Sequence, residues 1–183
     1  MSDLRPRDPM LPEYDGRAIN IPAQNGGAFA EPLKSRGCRV LSLAAIAQID
    51  MQEALDATVL NRELFELAKD DAEIWDRENA AAGGNEHRII HRAFELLGES
   101  PKGRQVAVVH PDGSGWNAGI EHDYAIVEYP TGGTVGVHFV LCTAVKNVTA
   151  GVAQWGFKLL YDPWDGDDYI KGNASRVLCY RVS

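Results

Sequence analysis

Cys38, His138 and Asp162 have the side-chain chemistry of nucleophilic acyl transfer, and they occur in an order that one fold could bring together. A thiol attacks as its thiolate, and its pKa falls where the unpaired N–H groups and the macrodipole of a helix N-terminus favour negative charge. In "KSRGCRVLSLAAIAQ", Cys38 directly follows Gly37 and opens an apolar run, which predicts that it sits at such a terminus. The thiolate also needs an imidazole within hydrogen-bond reach to share its proton, and a third group to hold that imidazole in orientation. "VGVHFVLCTAV" offers His138 at the start of a strand, with Val137, Phe139 and Leu141 pointing one way and His138, Val140 and Cys142 the other. "FKLLYDPW" ends in Asp162-Pro163, a carboxylate where the chain leaves its strand. If these two strands are neighbours, Asp162 can orient His138.

The elements that must position these residues fall into two halves. Cys38, Leu41, Ala45 and Ile49 recur near one face at helical spacing, which predicts a helix from about Cys38 to Ile49. A second helical zone runs through residues 51–82, with Leu60, Leu64, Phe65 and Leu67 as its apolar stripe. A third helix starts near Asn85, suited to an N-cap, and stops at Gly98. After Gly98 the texture is strand-like. "RQVAVVH", "HDYAIVEY", "VGVHFVLCTAV", "FKLLYDP" and "RVLCYRV" are short, rich in β-branched and aromatic residues, and separated by turn signals such as Pro111-Asp-Gly113 and Thr131-Gly-Gly133. Helices followed by antiparallel strands make an α+β domain. Ahead of it, residues 1–34 contain five of the nine prolines and read as an irregular arm, a surface segment or a docking tail for a protein partner. Residues 35–183 then form one domain, as the length of 183 residues allows.

Composition narrows the function classes. The net charge of −8 repels phosphate backbones and anionic lipid headgroups, and no dense Lys/Arg cluster offsets it, so neither nucleic-acid nor membrane-surface binding is expected. "MSDLRPRDPMLPEYDG" lacks the apolar core of a secretory signal, and no stretch has transmembrane length. Three widely spaced cysteines argue for a reducing compartment and against a disulfide framework, so a cytoplasmic or particle-associated location is expected. Cys142 and Cys179, inside apolar strands, read as inert core thiols.

A Gly-Cys opening an apolar helix, then His-Phe-Val-Leu on a strand, then Tyr-Asp-Pro closing the next strand, resembles the papain-like cysteine peptidase superfamily. The nearest branch is the one typified by double-glycine leader (bacteriocin-processing) peptidases and their phage- and plasmid-borne relatives. The resemblance runs from Gly37 to the C-terminus. It implies an N-terminal helical half whose Cys helix packs on a C-terminal antiparallel sheet, with Cys38 as nucleophile, His138 as general base and acid, and Asp162 as the orienting carboxylate. It implies no cofactor or metal, and a substrate that is a cytosolic peptide, or a peptidoglycan stem peptide if a virion or another protein delivers the domain.

That family carries a Gln six residues before the Cys, where it lines the oxyanion hole, and this chain has Pro32 there. Loss of one oxyanion donor costs about 10²–10³ in rate. Gln24 or Asn25 can take the role if the arm folds back, and Ser35 lies closer along the chain. Arg39 stands where relatives often have Gly. Two other function classes therefore stay open: a catalytically silent papain-like module used in binding or particle assembly, and acyl transfer to an amine of the transglutaminase-like kind. Elsewhere, His87 and His91 have i, i+4 spacing but lack the His-Glu-x-x-His pattern, so a solvated helix face is expected there instead of a metal grip. "DPWDGDDY" misses the EF-hand spacing and reads as a turn. Trp116 and Trp164 are candidates to line a substrate cleft.

Overall fold

A computed structural model describes residues 20–70, 74, 84–110, 114–115, 121–130, 137–144, 159–164 and 174–183. Among the described residues four helices precede five strands: α1 (Leu33–Arg36), α2 (Cys38–Met51), α3 (Ala57–Asp70), α4 (Gly84–Leu96), β1 (Arg104–Val109), β2 (Tyr124–Pro130), β3 (Val137–Thr143), β4 (Leu159–Tyr161) and β5 (Arg176–Arg181). The domain is α+β. All pairings of the five-stranded sheet are antiparallel, in the order β1-β5-β2-β3-β4. Each of the five strand-like runs in the sequence supplies one strand.

Helix α2 departs from a one-faced stripe. Every residue from Arg39 to Ile49 is buried, so α2 is the central helix of the core, wrapped on all sides. It lies against β3 and α4. One core fills the space between the helices and one face of the sheet, taking Ile126, Phe139, Leu141 and Leu178 from the strands. A second core on the other face takes Val127, Val140, Cys142, Val177 and Cys179, as the alternation of side chains along a strand requires.

The helix ends follow local chemistry. Asp56 caps α3, accepting the N–H groups of Thr58 and Val59 at 2.9 and 3.3 Å. Leu60 and Leu64 face the core, whereas Phe65 is 48% exposed and does not belong to the buried stripe. The second helical zone thus becomes α3 over Ala57–Asp70, preceded by a non-helical link. α4 begins at Gly84, which puts Asn85 inside its first turn and not at its cap.

His87 and His91 are half-buried, which corrects the expectation of a solvated face. Their rings stack at 6.0 Å between centroids. His87 Nε2 accepts the Gln105 N–H at 3.2 Å, and His91 Nε2 donates to the Gly103 carbonyl at 3.0 Å. The pair fastens α4 to the start of β1 through backbone groups. Desolvation, and then the neighbouring His91, lower the His87 pKa, in keeping with a neutral ring that accepts.

The segment ahead of the helices packs onto the domain from Asn20 onward. Phe29 and Leu33 are buried in the main core. Asn61 on α3 clasps the strand-free stretch, donating to Ala28 O at 2.9 Å and accepting the Ala30 N–H at 3.2 Å.

Candidate active site

The position of Cys38 follows from one glycine. Helix α1 ends at Arg36 and α2 begins at Cys38, so Gly37 makes the entire junction. Its φ of −83° is open to any residue, but a Cβ there would stand 2.4 Å from Leu33 O and 2.8 Å from Leu33 Cα. Gly37 is needed for space, so that the chain can turn tightly and present Cys38 as the first residue of a buried helix. Cys38 itself is half-buried and free.

β3 and β4 are neighbours, and their pairing delivers the other two groups. His138, the second residue of β3, is fully buried. Its Nε2 lies 2.7 Å from Oδ1 of Asp162, whose side chain is 9% exposed and follows directly after β4. The same Oδ1 accepts the Trp164 N–H at 2.9 Å, a turn that fixes the carboxylate through its own backbone. Burial by itself lowers the His138 pKa. The hydrogen bonds and charges of Asp162 and Cys38 outweigh it, and the pKa is pushed up to about 9. Both Asp162 and Cys38 thus raise the proton affinity of the ring, and because Asp162 is bonded to Nε2, Nδ1 is the nitrogen available toward Cys38.

Gln24 is brought to the site despite its distance in sequence. It is 1% exposed; its N–H donates to Pro163 O, next to Asp162, and its Nε2 donates to Lys34 O at 2.9 Å. A helix running straight through Gly37 would offer that Lys34 carbonyl to the Cys38 N–H. With Gln24 occupying it, the Cys38 N–H meets no backbone acceptor among the described residues. Tyr161 reinforces the arrangement by donating its hydroxyl to Pro22 O at 3.2 Å. A backbone N–H at the nucleophile and a side-chain amide beside it are the kind of donors an oxyanion hole requires. The arm's return could be suspected from the turn signal Asn25-Gly26-Gly27, but its docking point could not.

Asn25 is half-buried in the same turn. Ser35 is exposed, and its hydroxyl donates to the Glu31 carboxylate. Trp164 is half-buried beside Asp162. Trp116 and the aspartates at 165, 167 and 168 lie outside the described residues. Burial pushes the Cys179 thiol up to about 12 and the Cys142 thiol well above its ordinary value, the latter with help from the Asp162 charge. Two of the three thiols are thus held protonated.

The same end of the sheet carries, on its other face, a cluster that strand texture gave no reason to expect. Glu128 Oε2 accepts from Nε and Nη2 of Arg176, both at 2.8 Å, and Glu128 Oε1 accepts from the Ser175 hydroxyl at 2.7 Å. Among the described residues no helix is long and apolar enough to cross a membrane. Comparison with protein-family models, with curated proteins and with solved structures found no match.

Proposed function

We propose that this protein is a thiol hydrolase of papain-like architecture that cleaves a peptide or other amide bond through Cys38, His138 and Asp162. The observation that carries the reading is the 2.7 Å bond from His138 Nε2 to Asp162, with Cys38 interacting with the same buried ring. A buried central helix that starts at the thiol and packs on an antiparallel sheet supports the papain-like architecture.

Each step has a residue. Cys38 attacks the carbonyl carbon as thiolate while His138 holds the proton, so the reactive form pairs an anionic sulfur with an imidazolium. A ring whose pKa lies near 9 keeps its positive charge beside that sulfur throughout the neutral range. The developing oxyanion turns toward the Cys38 N–H and the Gln24 amide. His138 then gives its proton to the departing amine, leaving a thioester on Cys38. Water, deprotonated by the same imidazole, attacks the thioester; the acid leaves and the thiol is restored.

The test is iodoacetamide labelling at pH 6, with mass spectrometry comparing the three cysteines. Cys38 is expected to label far faster than a model thiol, and His138→Ala to remove that advantage. Labelling of Cys38 at the model rate, unchanged in His138→Ala, refutes the reading.

A further inference from the structure

Tyr129 stands directly opposite His138 in the β2–β3 ladder. Residues so paired carry their side chains on one face, with Cβ atoms about 4.5–5.5 Å apart. Tyr129 is 1% exposed, and its hydroxyl meets no hydrogen-bond partner among the described residues. Burial first, then the charges of Cys142 and Asp162, push its pKa well above the ordinary phenol value, so it stays a neutral donor. The bonds from His138 Nε2 and the Trp164 N–H both land on Oδ1 of Asp162. A buried hydroxyl left unpaired is costly, and the usual remedy is an ordered water that bridges it to a second polar group.

We infer that Tyr129 is a positioning residue of this site: its hydroxyl donates through one bridging water to the Asp162 carboxylate and locks it against His138. The inference rests on the thiol-hydrolase reading and adds a residue to it that touches neither substrate nor thiol. Without the phenol, Asp162 loses one of the groups that fix it beside the Trp164 N–H and the His138 ring, and it can rotate away from the imidazole.

The experiment follows alkylation of Cys38 by iodoacetate, an anion whose attack is favoured by the His138 imidazolium, from pH 5 to 10 in wild type and Tyr129→Phe. The expected result is a rate about tenfold lower at pH 7, the worth of one hydrogen bond to a charged group. The high-pH limb, near 9 in wild type, should move toward 6.5. A purely packing role predicts an unchanged profile, because Phe fills the same space; that result in folded protein overturns the inference. If Tyr129→Phe does not fold, fluorotyrosine introduced at this position alone keeps the shape and strengthens the donor. It should displace the same limb, and an undisplaced limb overturns the inference. A wild-type Cys38 that labels no faster than a model thiol fails the underlying reading instead, so the two failures are told apart.

Discussion

Two charged clusters lie at one end of the sheet on its opposite faces, Glu128 pairing with Phe139 and Tyr129 with His138, and their wiring differs. In the Glu128 cluster, both carboxylate oxygens are taken by Arg176 and Ser175, and the Ser175 N–H closes the loop on Glu128 O. Nothing is left to react, and the cluster ties β2 to β5. In the Cys38 cluster one carboxylate oxygen carries two bonds, the imidazole is bonded to it through Nε2, and the thiol is half-exposed. A saturated polar network holds a fold together; the proposed reaction asks the other to leave its thiol open to a substrate.

The sharpest way to break this contrast is His138→Ala. Removing a general acid–base typically costs about 10²–10⁴ in rate, so Cys38 alkylation at pH 6 should fall by about three orders of magnitude, with folding cooperativity retained in urea. Glu128→Ala should do the reverse. It leaves a half-buried Arg176 without its carboxylate, and because breaking a fully buried pair costs about 3–5 kcal/mol, a loss toward the lower end of that range is expected, read as a drop in urea midpoint. Cys38 in the remaining folded protein should alkylate at the wild-type rate, and a collapse of that rate would mean that the two clusters are one.

The pH dependence of stability carries the next largest effect. His138 is raised from 6.5 to about 9, so its contribution is fully present below pH 6.5 and is lost as pH rises through 9. At about 1.4 kcal/mol per tenfold, wild type should lose about 3 kcal/mol over that window, with the slope absent in His138→Gln. The smallest expected effect comes from Gln24→Ala. Acylation of Cys38 by an activated ester should slow about 10²-fold, while alkylation, which forms no oxyanion, stays unchanged. Equal loss in both assays would make Gln24 a structural strut.

How much of this was legible in the sequence depends on how local the determinant is. The five strands were readable from β-branched runs between turn signals, and the Cys, His, Asp order survives into a real adjacency because β3 and β4 pair. The insertion of β5 between β1 and β2 was not readable, since it is a pairing between distant segments with no local signature. Neither was the Glu128–Arg176 bond, which joins strands nearly fifty residues apart. Gln24 stood outside the expected six-residue spacing, inside a stretch whose prolines suggested irregularity. What assigns it to the site is a side-chain bond to Lys34 that no periodicity encodes. Phe65 and the histidines of α4 show the converse, where helical spacing was clear but the packing partner was not.

The spacing of the three site residues along the chain has a consequence in time. Cys38 leaves the ribosome long before His138 and Asp162; at synthesis rates of about 5–20 residues per second the interval is on the order of ten seconds. Throughout it the thiol has no imidazole partner, and β3 and β4 do not yet exist to supply one. Activation of Cys38 by His138, as proposed, therefore has to await closure of the sheet, and until then the nascent chain carries an ordinary cysteine past its neighbours.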